Sequence, residues 1–177
     1  MHRWPKMIFV PILLLLVSAP AAWAQAGSFE FGVGGGVTEL DDNVGGEREF
    51  RAEVRGGYFI TDHFQLEGQL LRVTSVFDLS LTAYMINGVF HFGTDQGIVP
   101  YVLVGAGVAD LGFSGFPFNS SVDDQGTALQ AAVGTRFFLG DTGRSVRLEL
   151  STLREDSFDE DSNYLSFTAG FNWRFGG

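Results

Sequence analysis

The sequence predicts an all-β fold, an eight-stranded antiparallel up-and-down barrel whose strands cross a membrane. Three observations carry that expectation. The last stretch, Asn163 to Phe175, puts Leu165, Phe167, Ala169, Phe171, Trp173 and Phe175 on one face of an extended strand and Ser166, Thr168, Gly170, Asn172 and Arg174 on the other. A soluble sandwich strand also alternates, but three aromatics stacked at the end of an apolar face fit the interfacial girdle of a transmembrane barrel. Similar alternating segments recur along the chain between clusters of turn residues. Finally, beyond residue 24 no apolar run nears the ~18 residues of a spanning helix, so any membrane passage falls to strands.

Met1 to Ala24 reads as a targeting segment. His2, Arg3 and Lys6 form a basic head, Ile8 to Val17 an apolar run containing Pro11, and Ala22-Trp23-Ala24 a small-x-small cleavage site before Gln25. The apolar run is shorter than a spanning helix needs, which favours cleavage over retention as an anchor. No cysteine precedes the cut, so a lipoprotein anchor is excluded. The expected organisation is a signal peptide over 1–24 and a single barrel domain over 25–177, exported to the outer membrane of a Gram-negative cell.

Of the 11 basic residues Arg3 and Lys6 fall in that segment and none of the 21 acidic ones does, so nine remain against 21, a net charge of −12. A nucleic-acid partner needs a basic footprint, and this chain offers the opposite. With no cysteine, neither disulfides nor thiolate metal sites hold the fold.

The first strand spans Ser28 to Thr38, with Phe29, Phe31, Val33 and Val37 opposite Glu30, Gly32, Gly34, Gly36 and Thr38. Glu39 to Glu47 is an acidic, glycine-rich loop. Arg48 to Ile60 alternates most cleanly, setting Phe50, Ala52, Val54 and Tyr58 against Glu49, Arg51, Glu53 and Arg55. After a turn at Thr61-Asp62-His63, Phe64 to Val73 sets Phe64, Leu66, Gly68 and Leu70 against Gln65, Glu67 and Gln69.

From about Phe77 to Phe92, Leu79, Leu81, Ala83 and Met85 alternate with Asp78, Ser80, Thr82 and Tyr84. Phe90 and Phe92 take the opposite parity, which predicts a bulge near Asn87-Gly88. Gly93 to Gly97 turns the chain into Ile98 to Ala109, apolar on both faces, where Pro100 suits a strand entry. Asp110 to Gln125 is the longest loop. Thr127 to Leu139 carries Leu129, Ala131, Val133 and Phe137 against Gln130, Ala132, Gly134 and Arg136. Gly140 to Gly143 turns again, Ser145 to Leu153 sets Val146, Leu148 and Leu150 against Arg147, Glu149 and Ser151, and Arg154 to Ser162 reads as an acidic loop. Short turns near Asp62, Asp95 and Asp141 alternate with acidic loops near Asp41, Asp123 and Asp159, although Thr74 to Val76 is brief. Short turns belong on the periplasmic side, so both termini are expected there.

The signal segment, the paired-strand rhythm, Phe59-Ile60-Thr61-Asp62-His63-Phe64 as a periplasmic turn, Pro100-Tyr101 opening a glycine-rich strand, and the aromatic closing strand together resemble the small outer-membrane β-barrels of the OmpA/OmpX type, the porin-like small barrels. The resemblance covers the whole mature chain. It implies that Phe171, Trp173 and Phe175 form the signal read by the barrel assembly machinery, with Gly176-Gly177 a departure from the usual aromatic terminus. Relatives of this kind include structural proteins, adhesins, small channels and lipid-modifying enzymes, so architecture alone does not select a function.

With the apolar faces outward, Glu30, Glu49, Arg51, Glu53, Arg55, Glu67, Arg136, Arg147, Glu149 and Arg174 point into the lumen, five Glu and five Arg. An interior of eight strands is just wide enough to be filled by side chains, and Arg–carboxylate pairing is how such charges are buried together. Two readings follow: a closed, salt-bridged plug, and a narrow conduit that opens when pairs exchange.

Outside the barrel, Asp41, Asp42, Asp123, Asp124, Asp156, Asp159, Glu160 and Asp161 make the loops strongly acidic. Asp159-x-Asp161-x-Asn163 begins like a calcium loop, but Tyr164 stands where glycine is required and Gly170 where the bidentate Glu belongs, so no metal site is assigned. The Gly32 to Gly36 run lacks the helix and Lys of a phosphate loop.

Catalysis finds little support: past the leader only His63 and His91 remain, and His91-Phe92-Gly93 lacks the serine of the lipid A deacylase motif. His63 reads as a turn residue and His91 as an interface residue. The sequence therefore points to a monomeric, cofactor-free, non-enzymatic barrel with a structural or surface-interaction role. Its partners would be outer-membrane lipids, lipopolysaccharide and the assembly machinery. A small-solute channel is the alternative, and a lipid A-modifying enzyme the third reading.

Overall fold

The computed structural model describes residues 26–40, 48–74, 79–93, 97–113, 125–140, 142–157 and 160–176. They form eight strands: β1 (Phe29–Leu40), β2 (Arg48–Phe59), β3 (Phe64–Thr74), β4 (Leu79–His91), β5 (Ile98–Phe113), β6 (Gln125–Phe138), β7 (Arg144–Ser157) and β8 (Glu160–Phe175). Each pairs antiparallel with the next, and β1 pairs with β8 from Phe29↔Phe175 to Leu40↔Tyr164, so the sheet closes on itself. Closure leaves no edge strand, which is what a strand-built wall needs where no water can satisfy the backbone. Strands of 11 to 16 residues equal or exceed the 9–11 that cross a bilayer at a tilt.

The period-two pattern sorts the side chains. Along β2, Phe50, Ala52, Val54 and Tyr58 are exposed while Arg51, Glu53, Arg55 and Phe59 are buried. The exposed set is apolar all round the barrel, with Phe50 71%, Ile86 67% and Val104 66% accessible. So wide an apolar belt would aggregate in water and is at home against acyl chains. At the end of the barrel bearing the chain termini the belt is aromatic. Phe29 packs on Tyr58 at 4.8 Å between centroids, Phe171 on Trp173 at 4.6 Å, and Phe90 on Phe92 at 5.2 Å.

The turn from β2 to β3 at this end is tight. Thr61 Oγ1 accepts from the backbone N–H of His63 and of Phe64, at 3.3 and 3.0 Å. The other two turns use Gly97, Gly140 and Gly143 at positive φ.

Four sequence expectations are corrected. No bulge interrupts β4: its register runs unbroken against β3, from Thr74↔Ser80 to Phe64↔Phe90, and against β5, from Leu79↔Phe113 to His91↔Tyr101. Leu81, Ala83 and Met85 consequently face inward, in line with Asn87, Val89 and His91, so His91 is a lumen residue and not an interfacial one. There they pack with Leu71, Val73, Ala109, Ala128, Leu153 and Tyr164 into an apolar tier. Finally, Arg154 to Ser162 is not a loop. β7 and β8 continue their ladder through Arg154↔Asn163, Glu155↔Ser162, Asp156↔Asp161 and Ser157↔Glu160. Likewise β5 extends past Ala109 to Phe113.

Candidate functional site

The lumen is filled in tiers, and its middle is organised by Arg147 of β7. Its Nη1 lies 2.7 Å from Glu67 Oε2 on β3, halfway round the eight-strand ring, and its Nη2 lies 2.6 Å from Glu149 Oε2. Its Nε donates to the Tyr101 hydroxyl at 2.7 Å, and that hydroxyl donates in turn to Glu149 Oε2, also at 2.7 Å. The guanidinium also sits 4.5 Å from the Tyr101 ring centroid. Gly134, the cross-strand partner of Tyr101, makes room for that ring: a Cβ there would run into the phenol.

Toward β2 the network continues. Arg55 Nη2 is 3.0 Å from Glu149 Oε1 and pairs also with Glu53. Glu53 Oε2 accepts from Arg51 Nε at 3.1 Å and from the Gln69 amide at 2.8 Å, while Arg51 Nη1 reaches Ser151 on β7 at 3.1 Å. Asn87 Nδ2 donates to Gln69 Oε1 at 2.9 Å. Nearer the termini, Arg136 of β6 spans to Glu30 of β1 at 2.6 Å and to Gln65 Oε1 at 2.8 Å. Gln65 Oε1 also lies 3.3 Å from His91 Nε2. Arg136 and Arg147 are 0% and 2% exposed, so these struts are dry.

Eight of the ten lumen residues expected from the sequence thus meet in ion pairs: Glu30, Arg51, Glu53, Arg55, Glu67, Arg136, Arg147 and Glu149. Glu49 is half-exposed near the start of β2 and enters none of them. Arg174 stands at the other mouth, its guanidinium 5.5 Å from the Phe138 ring. Sequence reasoning missed Tyr101, Asn87, Ser151 and His91 as members of the network. Tyr101 lies in a strand apolar on both faces, where alternation carries no signal. Asn87 was readable only once β4 was known to run without a bulge.

Phe171, Trp173 and Phe175 point outward on β8 beside Val33, Phe31 and Phe29 of β1. Ala22, Ala24 and Gln25 lie outside the described residues, as do Asp41, Asp42, Asp123, Asp124 and Asp159. Among the described residues no group of three or more His, Cys, Asp or Glu could hold a metal ion.

The arrangement can cross-brace a barrel and block it, since the charged tier is capped toward the loops by the apolar tier of Leu71, Leu81, Met85 and Leu153. Comparison with known proteins gives this geometry its family. The model of the outer membrane protein beta-barrel domain matches residues 9–175. The chain belongs to that family.

Solved structures of similar fold superpose over nearly their whole length. Neisserial surface protein A matches with a TM-score of 0.70 at 14% identity, over 84% of this chain and 99% of that one. The outer membrane protein OprG of Pseudomonas aeruginosa matches with a TM-score of 0.62 at 11% identity, over 89% and 100%. The N-terminal β-barrel domain of Pseudomonas aeruginosa OprF matches with a TM-score of 0.54 at 21% identity, over 83% and 98%. No curated protein sequence matches the chain. At such identities the likeness is one of fold.

Proposed function

We propose that the protein is a non-enzymatic outer-membrane barrel, exported by a cleaved leader, that holds its acidic loops at the cell surface and keeps its own lumen shut. The observation that carries this reading is Arg147, which bridges β7 to Glu67 on β3 across the lumen, under a tier of packed Leu and Met side chains. A conducting pore must hydrate its axis. Here solvated ions would have to separate at least two buried pairs and cross an apolar layer, and breaking one buried pair costs about 3–5 kcal/mol.

Against catalysis stand the positions of the two histidines. His91 is buried with Nε2 near Gln65 Oε1, and the His63 ring, at a turn, has Nδ1 3.1 Å from the His91 carbonyl. Among the described residues neither meets a nucleophile in the pair that acyl transfer needs.

Planar-bilayer recording tests the reading. The wild-type protein is expected to be electrically silent, and Arg136→Ala to admit brief, small openings. Steady wild-type openings that shift on Arg136→Ala or Arg51→Ala would establish the channel reading in its place.

A further inference from the structure

Outside the lumen, one part of the lipid-facing wall is neither flat nor uniformly apolar. Gly56 of β2 and Gly68 of β3 face each other in register on the outer surface, and their bare backbone floors a groove of about 400 Å3. Phe31, Val54, Leu70 and Tyr84 wall it. Nothing lies within 4 Å of where a Cβ on Gly56 would stand. The next outward positions toward the loops change in chemistry: Arg72 follows Leu70 on β3, Thr82 precedes Tyr84 on β4, and the two are cross-strand partners. Thr74 and Ser80 make the next pair.

Arg72 is half-buried, and among the described residues its guanidinium meets one acceptor, Ser80 Oγ at 3.5 Å. With a rise of ~3.3 Å per residue and a tilt of about 40°, the path from Phe64 to Arg72 climbs roughly 20 Å of a belt about 25 Å tall. Arg72 therefore stands at the loop-side boundary of the bilayer, where a long side chain carries its charge to headgroup level.

We propose that this face binds one phosphorylated lipid of the extracellular leaflet, the lipid A part of lipopolysaccharide. One acyl chain would lie in the Gly56–Gly68 groove and a phosphate on Arg72, flanked by the Thr74 and Thr82 hydroxyls. The wall presents an apolar groove deeper in the belt and a cation at its mouth, the order in which such a lipid presents its chain and its phosphate along the membrane normal. A guanidinium offers two parallel N–H donors to a phosphate, and hydroxyls add donors at the remaining oxygen. In a chain whose net charge is negative, a cation at that height answers an anion that the rest of the surface repels. The proposal rests on the loops facing the cell exterior, but not on whether the lumen conducts.

Native mass spectrometry of the full mature protein in detergent tests it, titrating bisphosphorylated lipid A, its dephosphorylated form and phosphatidylglycerol. Heat-modifiable migration on gels checks that each variant is folded. The wild type should retain bisphosphorylated lipid A about tenfold better than the dephosphorylated form, the factor of one charge-assisted hydrogen bond. Arg72→Gln should erase that preference. Gly56→Leu, and to a smaller extent Gly56→Ala, should weaken both forms of lipid A while leaving the preference intact. Arg144→Gln, an exposed cation at the opposite rim, should behave as wild type. Persistence of the preference in Arg72→Gln, an equal loss in Arg144→Gln, or phosphatidylglycerol binding as tightly as lipid A would each overturn the proposal. Conductance records the closed-lumen reading separately.

Discussion

Arg147 brings three of its neighbours' polar atoms, Glu67 Oε2, Glu149 Oε2 and the Tyr101 hydroxyl, under one constraint, and the energetics of its network follow from how its loss would be shared. Replacing it by leucine leaves Glu67 and Glu149 buried, Glu67 with the Asn87 amide at 3.5 Å and Glu149 with Arg55 and the Tyr101 hydroxyl. Removing one member of a buried pair costs about 3–5 kcal/mol, because the remaining charge keeps its desolvation penalty. Arg147→Leu should therefore lower the urea unfolding free energy in lipid micelles by that amount. Adding Glu67→Leu should restore part of it, since the apolar pair needs no compensation. A double variant less stable than the sum of the two single ones would count against the network as described. Gly134 belongs to the same argument, because the inner wall has no room for a Cβ where the Tyr101 ring lies.

At the scale of the strand, alternation made most of the barrel legible. In β2, β6, β7 and β8 the apolar face of the sequence is the face that meets lipid, and Arg51, Glu53, Arg55, Arg136, Arg147 and Glu149 followed from parity alone. β4 inverted the rule for a physical reason. Near the loop-side rim the outward positions are polar, with Thr82 half-exposed and Ser80 covered beside Arg72, while the lumen there is apolar and takes Leu81, Ala83 and Met85. Polarity thus changes sides along one strand without any change of register, and a reader of the sequence alone supplies a bulge to reconcile the halves. The β7–β8 ladder escaped for a related reason: from Arg154 to Ser157 and from Glu160 to Ser162 the residues on both faces are polar and carry no dyad signal, even though Glu155 is buried. Cysteine labelling distinguishes the two descriptions of β4. Ile86→Cys in an otherwise cysteine-free chain should react with a membrane-soluble maleimide, and Met85→Cys should be protected. Reaction at 85 with protection at 86 would reinstate the bulge.

The whole molecule is polar in a second sense, along the membrane normal. One rim gathers Phe29, Tyr58, Phe90, Phe92, Phe171 and Trp173, the turn at residues 60–63, the β4–β5 and β6–β7 connections, and the start of β1 beside the end of β8, since Phe29 is the register partner of Phe175. The other rim carries Arg72 and Arg154 on the outer wall, and beyond it β7 and β8 run on past the belt as a paired ribbon. Connection length alone is a weaker guide than the sequence reading assumed, because residues 158–159 join β7 to β8 as briefly as any turn on the other side. What decides orientation is where the strands overshoot. A strand pair that continues beyond the belt marks the side of the barrel that projects furthest from the membrane, and in outer-membrane barrels that side faces the exterior. An epitope tag inserted between residues 158 and 159 should therefore be stained by antibody on intact cells. The same tag placed after Gly177 should be stained only once the outer membrane is permeabilised. Staining of the C-terminal tag on intact cells would reverse the orientation, and with it move Arg72 to the periplasmic leaflet.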